Sequence, residues 1–138
     1  MMDRWEPRPV PEVTPETEPF WAGAAAGEYR LQECQDCGQI YGYTRAVCPD
    51  CGSLDVEWTV ASGEGTVYSY AVLESHRTWP ESALPMICAR VDLAEGVQVV
   101  TNLVDCSPED VAVGDTVQVA FVPTDDEAVA VPVFTLEE

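Results

Sequence analysis

The chain has no lysine. Its six basic residues are all arginine, against 25 acidic ones, which sets the formal net charge at -19 over 138 residues. Without lysine there is no Schiff-base nucleophile and no phosphate-cradling P-loop. With so few cations a nucleic-acid backbone is repelled rather than neutralised, so nucleic acid is not an expected ligand. Histidine is nearly absent too. His76 stands alone in the loop sequence His76-Arg77-Thr78-Trp79-Pro80, and with no orienting partner near it in sequence it reads as a surface residue rather than a general base. No Gly-x-Gly-x-x-Gly, Walker or His-Glu-x-x-His pattern occurs. Acidic clusters such as Glu109-Asp110 and Asp125-Asp126-Glu127 are expected to be solvated turn residues in a chain this acidic. No run approaches the roughly 18 apolar residues of a membrane span. No apolar stretch follows Met1-Met2-Asp3-Arg4-Trp5-Glu6, so no secretory signal is expected and a reducing cytoplasm is the expected setting. These absences leave no catalytic residue to nominate.

Cysteine is present in number and in pattern. Four of the six cysteines form Cys34-Gln35-Asp36-Cys37-Gly38 and Cys48-Pro49-Asp50-Cys51-Gly52, with ten residues between the pairs. A two-residue gap lets both thiolates of a pair point at one ion, and the glycine that follows allows the tight turn that aims amides at sulfur. Four thiolates make a closed tetrahedral site, so one structural zinc on Cys34, Cys37, Cys48 and Cys51 is expected, with mononuclear iron as an alternative for the same cage. A thioredoxin-like redox pair would need a following helix in an α/β unit, which the sequence does not offer. Cys88 falls inside a strand pattern and is expected to be a small buried hydrophobe; Cys106 follows a strand end and is expected to be partly exposed.

Around the cysteines the composition divides the chain. Hydrophobic residues make up 46%, enough for a true core, and the length suits a compact domain with a small module attached. Residues 1 to 19 hold five of the eleven prolines, a density that forbids regular structure and favours an extended arm, either a disordered leader or an arm laid on a partner with Trp5 as its anchor. Thr17 or Glu18, Pro19 and the alanines that follow predict a short helix that Gly27 ends. Phe20 and Trp21 are adjacent, so they are expected to face different ways, one inward and one toward a partner. A strand is expected at Leu54 to Val60. Beyond Gly63-Glu64-Gly65, which reads as a bend or bulge, five alternating strands follow, with one capped helical turn at Ser107-Pro108 between the third and fourth. A barrel is the simplest closure of so short a sheet. The predicted fold is therefore mainly β: an N-terminal arm and short helix (1–32), a rubredoxin-like zinc ribbon (33–60) and a five-stranded OB-fold barrel (61–138).

This order of parts resembles the DUF35 family. The stretches that carry the resemblance are Pro19-Phe20-Trp21, Gly27-Glu28-Tyr29-Arg30-Leu31, the two cysteine pairs, Gly63-Glu64-Gly65-Thr66-Val67-Tyr68-Ser69-Tyr70, Thr101-Asn102-Leu103-Val104-Asp105-Cys106 with Pro108-Glu109-Asp110, and Val113-Gly114-Asp115-Thr116-Val117. The resemblance implies a non-catalytic subunit that binds a thiolase-fold acyl-CoA enzyme. The version favoured is a retro-aldolase that cleaves a β-hydroxyacyl-CoA steroid side chain to propionyl-CoA and a 17-keto steroid. The alternatives are a bridging subunit between a thiolase and a hydroxymethylglutaryl-CoA synthase, a small acyl-CoA enzyme in its own right, and a free-standing binding module. It also implies that Phe20, Trp21, Tyr29 and Arg30, together with the arm residue Trp5, face the partner. A dimeric partner would make the complex a heterotetramer. Because only Arg30 and Arg45 lie near the ribbon, the partner is expected to bind most of the acyl-CoA.

Overall fold

Proline at position 19 sets where the first helix starts. The computed structural model describes residues 4–137, so the first three residues of the expected arm lie outside it. Helix α1 (Glu18–Ala25) has Thr17 at its N-cap and the proline in its first turn, where a missing N–H costs nothing. Gly27, at φ 82°, ends it and turns the chain back along the helix. Strands β1 (Arg30–Cys34), β2 (Ile40–Tyr41) and β3 (Val56–Val60) then form an antiparallel sheet in the order β2-β1-β3. The ribbon's sheet thus begins at Arg30, three residues before the expected boundary.

Strands β4 (Glu64–Leu73), β5 (Met86–Leu93), β6 (Gln98–Leu103), β7 (Thr116–Pro123) and β8 (Ala130–Leu136) close into a barrel in the order β4-β5-β6-β8-β7. Only β6 and β8 run parallel. The helical turn Pro108–Asp110 precedes β7, with Ser107 and Asp110 forming a reciprocal cap. This is the mainly β architecture expected, with five barrel strands and the turn between the third and fourth. Gly65 is needed for closure: a Cβ there would lie 2.4 Å from Val91 Cγ1. The bend falls at Gly63, at φ 87°. The register shift in the β4–β5 pair comes later, around Tyr68.

The main core crosses the boundary between modules. Tyr29 and Leu31 of the ribbon side pack with Val67, Ala89, Val91, Val117 and Phe134 of the barrel. At Gly42 an added Cβ would meet Val99 Cγ1 of β6 at 2.9 Å, so the ribbon loop is pressed onto the barrel wall. A smaller core under the cysteine cluster holds Cys34, Tyr41 and Cys48, with Val56 against it.

Two expectations need correction. The arm is not a loose leader: it is laid on the chain's own barrel, with Trp5 at the edge of the groove described below. Trp5 is buried with Val104, Val122, Val131 and Val133 of the chain's own barrel, its amide donates to the Pro123 carbonyl at 2.9 Å, and its indole N–H donates to the Pro9 carbonyl. The physical reason is that this end of the barrel needs an apolar plug, and a nearby indole has a larger apolar area to bury than any residue of the local turns. Cys88 is also not a core residue. On β5 the buried alternation is Ile87, Ala89, Val91 and Leu93, which leaves Cys88 half-buried on the outer face. Trp5→Ala is expected to cost about 3–5 kcal/mol by removing the plug. Urea unfolding measures the loss, and limited proteolysis should show new cleavage confined to the arm.

Candidate metal centre and docking face

Two copies of one backbone turn build the metal centre. In the first, the Cys34 amide donates to the Gln39 carbonyl and the Gly38 amide to the Cys34 carbonyl, both at 2.9 Å; in the second, Cys48 to Ser53 and Gly52 to Cys48 do the same at the same distance. The glycines sit at φ 78° and 77°, a conformation that a side chain would strain. Each turn also aims an amide at sulfur: Cys37 N–H at Cys34 Sγ and Asp50 N–H at Cys48 Sγ, both at 3.4 Å. The Cys37 amide draws the Cys34 thiol down, while at Cys37 and Cys51 the crowded sulfurs outweigh the backbone amides and push the thiols up, a crowding that a bound cation would relieve. Ser53 ties the two turns together through a hydroxyl donated to the Asp36 carboxylate.

All four sulfurs lie within 4.8 Å of one another, and the cross-turn pairs Cys34–Cys51 and Cys37–Cys48 are 3.6 Å apart. A tetrahedron with metal–sulfur bonds of about 2.3 Å has edges of about 3.8 Å. The donor set and its spacing therefore fit one zinc held by Cys34, Cys37, Cys48 and Cys51, as the sequence predicted. With four protein ligands it is a structural zinc with no open position, so it fixes the fold and takes no substrate.

A groove of about 420 Å³ lies between α1, the ribbon loop at residues 42–44 and strands β6 and β8. Its walls are mostly aromatic and apolar. Phe20 and Trp21 meet edge to face at 5.0 Å, and Phe20 meets Tyr29 likewise at 5.7 Å. The two rings divide as expected, Phe20 packing against the main core and Trp21 not, and both also reach the groove. Tyr29 is buried, and burial pushes its phenol up to about 12, so it remains a neutral wall. Arg30 lies across Gly23 of α1, and donates to the Pro19 carbonyl at 3.0 Å and to Glu28 at 3.1 Å. It staples the helix to β1 and is itself half-buried.

Sequence reasoning missed the opposite wall, Tyr43 and Val100, which are 55% and 51% exposed. Two residues beyond Tyr43 the loop is pinned by Gln32, a buried side chain that accepts the Arg45 amide at 2.8 Å and donates to the Arg45 carbonyl at 3.2 Å. The available signal was the Tyr41-Gly42-Tyr43 run between the cysteine pairs, too long for a bare turn. The other candidates fall elsewhere. His76 is exposed, and its Nδ1 accepts the Thr78 amide at 3.2 Å. Burial, with Asp110 and Asp105 adding to it, pushes the Cys106 thiol up, away from a nucleophilic thiolate.

Two family models match the chain. The ChsH2 rubredoxin-like zinc ribbon domain covers residues 21–57 and the ChsH2 C-terminal OB-fold domain covers 58–122. The chain is 36% identical over 89 residues to a DUF35 domain-containing scaffold protein of Methanocaldococcus jannaschii, an alignment that covers 64% of this chain and 63% of the relative. It is 32% identical over 116 residues to the 3-oxo-4,17-pregnadiene-20-carboxyl-CoA hydratase alpha subunit of Mycobacterium tuberculosis, covering 84% of this chain and 37% of that subunit. The chain therefore spans less than two thirds of the length of these relatives. Among solved structures, a chain of the Ltp2-ChsH2(DUF35) aldolase superposes with a TM-score of 0.77 at 34% identity, over 91% of this chain and 98% of that one.

Proposed function

The chain belongs to the DUF35 family, in the ChsH2 group that joins a zinc ribbon to an OB fold, and from that premise we propose that it is the non-catalytic subunit of a thiolase-fold retro-aldolase. The observation that carries this reading is the aldolase match, which covers 98% of that solved chain and 91% of this one at 34% identity. The saturated metal centre agrees with it, because a zinc with four thiolates offers no site to a reacting group. Cleavage of a β-hydroxyacyl-CoA requires a base for the β-hydroxyl and a group that protonates the α-carbon after the Cα–Cβ bond breaks. Both belong to the partner, as does the basic surface for CoA phosphates. This chain's part is to seat the partner on the groove of Phe20, Trp21 and Tyr43. The acyl group proposed is a steroid side chain, released as propionyl-CoA and a 17-keto steroid; the name of the Mycobacterium tuberculosis relative, a hydratase of a steroid thioester, supports that class.

Co-expression with a thiolase-fold enzyme tests the reading. The two chains are expected to co-elute as a complex with two copies of each. Propionyl-CoA release is expected to fall by about a hundredfold or more when this chain is omitted, and His76→Ala should leave it unchanged. A partner that is fully active alone, or thioester turnover by this chain alone, overturns the proposal. Simultaneous capture of a thiolase and a hydroxymethylglutaryl-CoA synthase would instead identify a bridging scaffold, the reading favoured by the Methanocaldococcus jannaschii relative.

A further inference from the structure

The barrel closes through the first part of β4 only. The ladder with β7 covers Glu64, Gly65 and Thr66, and it ends where the Val67 amide donates to the Asp115 carbonyl and the Gly114 amide to the Val67 carbonyl, both at 2.9 Å. The ladder with β5 continues to Leu73. Among the described residues no strand pairs with the other edge of β4 over residues 68–73. Tyr70 and Val72 stand on the face whose β5 partners, Ala89 and Ile87, are buried, yet they are 37% and 39% exposed. A neighbour beyond β4 is what that apolar face lacks. The edge is separate from the docking groove, since β4 is reached from β6 only through β5 and from β8 only through β7.

A free strand edge is a template for another strand, and proteins normally blunt one with lysine, proline or an inward-pointing charge. Tyr68-Ser69-Tyr70-Ala71-Val72-Leu73 carries none of these. In a chain that is 22% charged, an uncharged run rich in strand-forming residues on an open edge is a surface suited to pairing. Its flanks decide what pairs. Glu74 follows the strand, and Glu109, Asp110 and Asp115 lie on the segment that meets its start, where the Tyr70 hydroxyl donates to the Val111 carbonyl at 3.0 Å. Arg90, opposite Ser69 on β5, is turned to Gln98. A second copy of this chain would bring a like net charge of -19 against those flanks. We propose that the edge at residues 68–73 receives an extended segment of a partner protein, added as a strand beside β4, with alternate apolar residues toward Tyr70 and Val72 and a lysine or arginine at each end. Main-chain hydrogen bonds make the pairing, the apolar residues cover the exposed face, and the terminal cations meet the acidic flanks. At about 3.3 Å per residue the edge is roughly 20 Å long, which suits a segment of about seven residues.

The test titrates the acetylated, amidated peptide Lys-Thr-Val-Thr-Val-Thr-Lys into the 15N-labelled, zinc-loaded full chain. Amide resonances of residues 68–73 are expected to shift saturably, and their hydrogen exchange to slow. The same peptide with glutamate at both ends should bind about tenfold or more weakly, and one with its five central amides N-methylated should not bind. Glu74→Lys changes an exposed flank and leaves the strand intact; it should weaken the lysine-ended peptide by about fivefold. Val72→Lys places a charge on the edge itself and should weaken it by about tenfold or more. Equal affinity for the lysine- and glutamate-ended peptides, unchanged affinity after N-methylation, or shifts confined to other strands overturn the proposal. Dimerisation of the free chain that Val72→Lys abolishes overturns it too, because the occupant is then a second copy.

Discussion

Cys48→Ser is expected to empty the metal centre and melt the ribbon. Cys48 is 1% exposed and sits in the small core with Cys34 and Tyr41, so the variant loses a thiolate ligand and leaves a hydroxyl in an apolar site. The ribbon has little else to hold it: β2 is two residues long and pairs with β1 at two positions. A structural zinc contributes an apparent 10–16 kcal/mol in small metal-folded modules, roughly, against an ordinary domain stability of about 5–15 kcal/mol. Metal analysis should find one zinc per wild-type chain and less than about a tenth of that in the variant. Hydrogen exchange should show protection lost across residues 30–60. The barrel should keep its slowest amides on β5 and β6, where its own core continues. It should still be weakened, because Leu31 is shared between the two modules. Retention of ribbon protection in a zinc-free protein would refute the metal as the ribbon's main support.

The parts of the fold most legible in the sequence are those set by local rules. Cysteine spacing and the following glycines dictate the metal turns, and period-two alternation dictates the five barrel strands. Pro19 and Gly27 bracket the helix. The parts that were not legible depend on what a residue meets after folding. Trp5 reads as an anchor for a partner because nothing in residues 1–19 reveals that the barrel end lacks a plug. Arg30 reads as a residue facing the partner, but its stem crosses Gly23 and its head is bound to Pro19 and Glu28. Strand alternation alone places Cys88 on either face until the register with β6 is known. The docking groove was half legible. Phe20 and Trp21 announce an apolar helix face, but Tyr43 and Val100 come from two other elements, and only the tertiary fold brings them opposite that face.

The groove's role then rests on a variant that separates docking from folding. Trp21→Ala combined with Tyr43→Ser is expected to abolish co-purification with the thiolase-fold partner while zinc content and unfolding temperature stay close to wild type. Trp21 is half-buried and Tyr43 is exposed, and neither belongs to the buried cores, so the free chain loses little. In a complex the same two rings become the large apolar anchors of an interface, the residue types that most often carry binding energy. Together their loss should cost about 4 kcal/mol, roughly a thousandfold in affinity. Phe20 is the contrasting position, because it packs on Tyr29 and the main core; Phe20→Ala should lower stability as well as affinity. Calorimetric titration of the partner with each variant, run beside thermal unfolding of the free chain, distinguishes the two effects. Wild-type affinity in the Trp21/Tyr43 double variant would move the interface off this groove while leaving the zinc ribbon and the barrel as described.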